Sequence, residues 1–419
     1  MVRLRGASAK AVIPLSAIAR RPLLGLAAAV LAAPPLLAQT NEVRLGALFP
    51  FSGALALLGD ESFRGLDMAT EERNAAGGLF GRPVRLVKGD ASDATQAVAE
   101  ARRLMTTEKV AALFGSFSSR MALPASQQVE LQGLAYLELG AISDALTDRG
   151  FRGLFRTCPR ASDFGRQSVA AVTEVLAPLW QTEPAGIGIS ILHEDGMYGQ
   201  AMAEFQEAEL KVRGLRQVEK LAYVARSTEL GAMVQRLRGA GAQVVLHSGA
   251  QNDIALFFRA MQEASWLPRM VVGVGAGYSL TETARSIGPA FEGTLVVDFP
   301  QFEVNERLAP GAKPFVEDYR RRYGSEPRSG HSLAGYVGAR AYLEAAQRAG
   351  ALDRDKLRAA LLTTDIAEGG TANGWGIRFD EKGQNTRAQP FLMQWQGGRL
   401  LTIGPQAAAV AAAKLQLGV

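Results

Sequence analysis

The stretch VRLGALFPFSGALALLGDESFRGLDMATEERNAAGGLFGRPVRLVKGDASDATQAVAEARRL (43–104) carries the fold in miniature. VRLGALF (43–49) has the length and residue types of a buried strand, and SGA (52–54) supplies a turn. Asp60 is placed to cap a helix that turns Phe63, Leu66 and Ala69 to one face, with Gly77–Gly78 ending it. VRLVK (84–88) is a second strand. After it Ala94, Ala97, Val98, Ala101, Leu104 and Met105 recur at spacings of three and four, the period of a helix face. A strand, a helix and another strand at this spacing form a βαβ unit, which builds parallel sheet.

Working outward, the alternation continues through VAALF (110–114), a helix after Ser119, and LAYLEL (134–139). A second series runs from GIGISIL (186–192) through a helix from Tyr198, a strand over Val218–Tyr223 and a helix from Glu229. VVLHS (244–248), a helix from Asn252, and MVVGV (270–274) follow. Two such series predict an α/β protein of two doubly wound, parallel-sheet lobes. Open sheets of this kind bind ligands beyond the C-terminal ends of their strands, where helix N-termini direct free N–H groups. The loops to watch are therefore FPFSG (49–53), GSFSS (115–119), LGAIS (139–143), HEDGMYG (193–199), SGAQN (248–252) and GVGAGYS (273–279).

The chain has 419 residues, 47% apolar and 21% charged, which excludes disordered and fibrous classes. Its net charge of +5 is concentrated in residues 1–38, which hold Arg3, Arg5, Lys10, Arg20 and Arg21 and no acid. Without those five, 41 Lys and Arg face 41 Asp and Glu, so no basic footprint points to nucleic acid. The same segment reads as a cleaved export signal: a basic start, the apolar run Pro22–Ala33, then Pro34–Pro35 and a small residue at Ala38. Arg20–Arg21 before Pro-Leu-Leu also resembles a twin-arginine signal. No cysteine lies near Ala38 to take a lipid, and Cys158, the sole cysteine, can form no intramolecular disulfide. The mature protein is thus expected to be soluble, periplasmic and monomeric.

Patterns for catalysis are missing. His193, His247 and His331 are too scattered for a metal pair and read as core or rim residues, and no metal or other cofactor is expected. GVGAGYS has the spacing G-x-G-x-G rather than that of a dinucleotide loop, and neither a P-loop nor a nucleophile elbow occurs. Glu71–Glu72 and Arg320–Arg322 fall on helical stretches as solvated faces. Cys158 in RTCPR has no neighbouring base. What remains is binding without catalysis.

The opening stretch also resembles the start of periplasmic substrate-binding proteins of type I fold, in particular the leucine/isoleucine/valine-binding proteins of branched-chain amino-acid ABC importers. PASQQVE (124–130), ALTDRGFRGLFRT (145–157), HEDGMYGQA (193–201) and FDEKGQ (379–384) extend the likeness over nearly all of 43–400. It implies two lobes joined by three crossings near Thr157–Pro159, Val297–Pro300 and Gly369–Gly374. Lobe one is then 43–157 plus 298–370, lobe two 158–297 plus 371–405, and 406–419 a C-terminal tail. It also implies a small-molecule ligand in the cleft and an inner-membrane ABC permease as partner.

By the same resemblance, Ser119 with neighbouring Ser118 holds the ligand carboxylate at a helix start. Gly140, Ala141, Ile142 and Ser143 form the next binding loop, Tyr198 closes from lobe two, and Leu58 meets the ligand side chain. The departures are chemical. Ile142 stands where the family has threonine, and Gly275, Ala250 and Ala161 stand where acids and a tyrosine help hold an ammonium. Ser92 and Ser118 replace the usual cysteine pair. A buried ammonium without acceptors costs several kcal/mol, so an amine-lacking carboxylate, an aromatic or 2-oxo acid, fits alongside branched-chain amino acids. Phe51, Phe117 and Tyr278 are expected to line its apolar part. A periplasmic sensor of the same fold is the alternative, and an exported α/β enzyme a more distant one.

Overall fold

A computed structural model describes residues 42–224 and 227–418; the expected export signal, 1–38, lies outside them. In it β1 (Val43–Phe49), β2 (Val84–Asp90), β3 (Ala112–Gly115), β4 (Ala135–Glu138) and β5 (Leu154–Arg156) form one parallel sheet, ordered β2-β1-β3-β4-β5. A second sheet contains β6 (Ile189–Glu194), β7 (Gln217–Tyr223), β8 (Val244–Ser248), β9 (Met270–Val274) and β10 (Leu295–Asp298), all parallel. A small antiparallel pair, β11 (Asp365–Ile366) and β12 (Ile377–Arg378), stands apart. The antiparallel β13 (Phe391–Gln396) and β14 (Arg399–Gly404) extend the second sheet to seven strands, ordered β14-β13-β10-β9-β8-β6-β7.

Both faces of each sheet are covered, which explains strands that read as unbroken apolar runs. In β1, Val43, Leu45, Ala47 and Phe49 join one core, whereas Leu48 joins another with Leu104 and Leu113. In the second sheet, Leu246, Val272 and Val297 face one core, and Val245, Val271 and Val296 the other. The long helices Ala56–Ala75 and His331–Ala349 pack at close range because glycine allows it. A Cβ on Gly65 would lie 1.9 Å from the Ser332 carbonyl, and one on Gly335 2.6 Å from that of Ser62.

The first helix begins at Ala56, earlier than the cap expected at Asp60, which instead pairs with Arg64 one turn on, 2.8 Å away. Three connections run between the sheets. The first leaves β5 and enters the helix Ala161–Ala170, whose Phe164 and Val169 belong to the second sheet's core. The second leaves β10, stays with β14 through Glu303, and reaches the helix Ala312–Tyr323, where Tyr319 Oη donates to Glu61 at 2.6 Å. The third differs from the expected Gly369–Gly374. Those two glycines close a hydrogen-bonded turn, Gly369 N to Gly374 O at 2.9 Å. Ile377 and Phe379 still sit in the first sheet's core, and Gln384 still pairs with Arg156. The chain crosses only between Asn385 and Phe391. The final residues are stitched to the second lobe, with the Trp180 indole donating to the Leu415 carbonyl at 2.6 Å.

Candidate functional site

The loops after β3 and β4 are organised by a residue that lies between them. Glu138, the last residue of β4, is fully buried. Its carboxylate accepts the N–H groups of Ser116 (2.7 Å), Phe117 (3.3 Å), Gly140 (2.8 Å) and Ala141 (2.7 Å), and the Tyr136 hydroxyl at 3.2 Å. Burial raises its pKa while these donors pull the other way, since N–H groups aimed at a carboxylate favour its ionised form. The amides of Gly140 and Ala141 are thus spent on Glu138.

Arg156, at the end of β5, grips the same loop by its carbonyls. Its guanidinium donates to Ser143 O (2.6 Å), Ala141 O (3.3 Å) and Thr147 Oγ1 (3.3 Å), and its Nε to Gln384 Oε1 (2.6 Å). It is fully buried, and desolvation lowers its pKa. The segment 139–143 is consequently a strap held at its N–H groups by an anion and at its carbonyls by a cation. Neither Glu138 nor Arg156 was expected from the sequence. The one sign was an ionic residue near the end of an apolar run, Glu138 in LAYLEL and Arg156 in GLFRT.

Ser119 opens the helix Ser119–Leu131, with Ser118 at its N-cap making no side-chain cap bond. Ser119 Oγ accepts the Ser143 N–H at 3.0 Å, which ties the helix start to the strap. That bond uses a lone pair and leaves the hydroxyl proton to be donated. Met121 and Ala122 already donate to the Ser118 carbonyl, so the amides left at the positive end of the helix dipole are those of Ser119 and Arg120. A hydroxyl donor beside free amides at a helix start suits an anionic oxygen.

The second lobe supplies a different face. Glu194, at the end of β6, accepts the N–H groups of Gly196 (2.5 Å) and Gly199 (2.7 Å), fixing the start of the helix Met197–Val212. Tyr198 on that turn donates its hydroxyl to Val274 O at 2.9 Å. Gly275 follows, at φ +86°, and a Cβ there would lie 2.3 Å from Tyr198 Oη. The tyrosine thus fills the room a side chain at 275 needs. Burial, with Asp298 and Glu194 nearby, pushes the phenol pKa upward, so it stays protonated. Asp298, at the end of β10, accepts the Ser279 hydroxyl at 2.6 Å, and burial pushes its pKa up to about 7. The carboxyls around Tyr198 are therefore both committed, one to a helix start and one to a buried hydroxyl.

Other expected site residues take varied places. Leu58 and Ile142 are buried, and Ile142 accepts the Ala161 N–H at 2.7 Å. Ala250 caps the helix Gln251–Glu263, its N–H held by Asp253 at 3.0 Å. Phe51 packs on Phe49 and Phe63 under the Lys88 ammonium. Phe117 is half-buried with its ring edge-on to His331. Tyr278 does not line a cleft. Its ring lies over Gly273, its hydroxyl meets His247 Nδ1 at 2.5 Å, and its carbonyl holds the Trp395 indole at 2.9 Å. Because Gly273 has no side chain, the ring folds back onto the sheet. Burial lowers the His247 pKa to about 3, leaving a neutral ring between Tyr278 and Tyr223, whose Oη is 2.9 Å from its Nε2.

Residues 42–399 match a family model described as periplasmic binding protein. The Leu/Ile/Val-binding protein homolog 7 of Brucella melitensis is 44% identical over 393 residues, covering 94% of this chain and 98% of that protein. Two solved structures share the fold. One is LivJ of Streptococcus pneumoniae, a branched-chain amino acid transporter substrate binding protein in complex with isoleucine. It has a TM-score of 0.74 at 22% identity, over 88% of this chain and 99% of that one. The other is an ABC transporter solute binding protein of R. palustris in complex with benzoate, with a TM-score of 0.74 at 20% identity, over 90% and 99%.

Proposed function

This chain belongs to the periplasmic binding protein family, and we propose that it is the exported solute receptor of an ABC importer, holding a small carboxylate-bearing ligand between its lobes. The family consists of solute-binding proteins, and the reading has no catalytic step. The observation that carries it is the Ser119 hydroxyl, tied to Ser143 by its lone pair and left with a proton to give at a helix start. In this reading Tyr198 closes over it from the other lobe. In this reading the first lobe comprises 43–157 with 312–385, the second 158–309 with 391–418, and the working form is a periplasmic monomer that delivers its ligand to an inner-membrane permease.

The commitment of Glu194 and Asp298 to other partners favours a ligand without an ammonium, an aromatic or 2-oxo carboxylate, with branched-chain amino acids as the family's counterpart. A thermal-shift screen pairing leucine, isoleucine and valine with their 2-oxo acids, and including benzoate, tests both parts. A carboxylate at a hundred times its Kd raises stability by about 2.7 kcal/mol. Ser119→Ala is expected to weaken that ligand roughly tenfold to a hundredfold, the worth of a charge-assisted hydrogen bond. Stabilisation by leucine but not by its 2-oxo acid overturns the amine-lacking assignment. An unchanged Kd in Ser119→Ala removes Ser119 from the site.

A further inference from the structure

His331 opens the long helix His331–Ala349, directly after the turn that pins this helix to the second crossing. Gly330 donates its N–H to Gln301 Oε1 at 2.7 Å, and a Cβ there would lie 2.1 Å from the Pro300 carbonyl. The imidazole is held between two rings from different parts of the chain. Phe117, two residues before Ser119, meets it edge-on with centroids 5.2 Å apart, and Phe299, on the second crossing, overlaps it at 4.5 Å and 32°. Phe117 itself has φ +71°, a backbone setting rare outside glycine, and its N–H is held by Glu138. The turn that carries Ser119 is thus the turn that brings Phe117 against His331.

The hydrogen bonds around the ring assign its proton. Ser329 Oγ accepts the His331 backbone N–H at 3.3 Å and lies 2.8 Å from Nδ1. Ser329 is fully buried and its hydroxyl has no other acceptor among the described residues, so the hydroxyl proton is assigned to Nδ1 and the ring proton to Nε2. Nε2 has no partner among the described residues, though His331 is only 5% exposed. Burial holds its pKa near 3, so the ring is a neutral donor. Nε2 is not one of the fully buried atoms left without a partner, so this edge of an otherwise buried ring reaches open space, and its place beside the Ser119 turn makes it available to an acceptor on a bound ligand.

We infer that His331 Nε2–H is a second ligand-contacting donor, and that the half-buried Phe117 beside it, with Phe299 packed behind the imidazole, selects a flat, apolar ligand body, so that the site prefers an aromatic carboxylate to a branched zwitterion. The inference rests on the carboxylate-receptor reading and deepens it. The Ser119 turn takes one ligand oxygen and His331 another, while the ligand's π-face or edge continues the run of rings.

Calorimetry with benzoate, 4-methyl-2-oxopentanoate and L-leucine on wild type, His331→Phe and His331→Gln tests it. His331→Phe keeps the ring and removes the donor, whereas His331→Gln returns an N–H to about the same place. The expected result is tightest binding of benzoate by the wild type, a roughly tenfold to hundredfold loss in His331→Phe and substantial recovery in His331→Gln. Unchanged benzoate affinity in His331→Phe overturns the donor role, and tighter binding of leucine than of benzoate overturns the selectivity. If the wild type binds none of the three, the receptor reading itself falls. A measurement without substitution guards against a misfolded variant. In ¹⁵N-histidine-labelled wild type, the His331 Nε2 resonance is expected to move on benzoate addition, and a stationary resonance under saturating benzoate overturns the inference.

Discussion

The loops after β3 and β4 in the first lobe and those after β8 and β9 in the second are stiffened by opposite means. In the first, a buried carboxylate and a buried guanidinium grip one strap from its N–H and its C=O sides. In the second, the loops after β8 and β9 lie over a neutral chain, Tyr223–His247–Tyr278, and under a phenol bound to Val274 O. Full charges buried with their partners are strongly destabilising when one partner is lost, because the other stays behind uncompensated. Neutral hydrogen bonds are worth about 1 kcal/mol each. The first lobe therefore holds the Ser119 turn and its strap rigidly, and the second can exchange polar groups cheaply. If the proposed receptor reading holds, its ligand range is more readily altered in the second.

The sharpest way to break this contrast is Glu138→Ala, which strands four N–H groups, among them the Gly140 and Ala141 amides of the strap that Arg156 holds by its carbonyls. A stability loss of about 3–5 kcal/mol is expected by urea denaturation. A loss below about 1 kcal/mol would put the two lobes on an equal footing.

The next effect is read against pH in the second lobe. The Asp298 carboxyl, pushed up to about 7 from an ordinary 3.8, is neutral when folded and ionised when unfolded between those values. Its contribution is fully present below pH 3.8 and is lost as pH rises through 7. Wild type is thus expected to lose stability relative to Asp298→Asn across that window, by on the order of a few kcal/mol. A stability difference that stays level from pH 4 to 8 removes Asp298 from this role.

The smallest effect belongs to the neutral chain. Tyr223→Phe removes one bond to His247, and a loss of about 1 kcal/mol is expected in the same denaturation assay. A loss as large as that of Glu138→Ala would show that the second lobe also depends on an indispensable anchor.

What could be read from the sequence follows from the range of the interactions. The βαβ alternation and the strands VVLHS and MVVGV stand in the structure as read, because strand type and length are set by local residue pattern. Ser119 was readable as a helix start for the same reason. Asp60 was misplaced as a cap because any Asp near a helix start satisfies the pattern, while the observed turn at Gly53 begins the helix a turn sooner. Glu138 and Arg156 were invisible because their meaning depends on distant partners: Arg156 meets Gln384 across 228 positions of chain. Tyr278 was misassigned because a loop motif does not say to which side of the sheet its ring folds.

The partner of Arg156 has a mechanical consequence. Gln384 also donates to the Cys158 carbonyl at 3.0 Å, and Asn385 donates to the Thr157 carbonyl at 3.0 Å and, through its backbone, to that of Arg156 at 2.9 Å. The first and third crossings therefore leave the first lobe laced side by side as a two-ply ribbon. A ribbon flexes across its thin dimension and resists shear within its plane. Shear between the two lobes is thereby resisted where residues 157–160 and 386–390 run side by side. In the proposed receptor, a ligand that bridges the lobes would act as a latch on a door whose swing this ribbon limits.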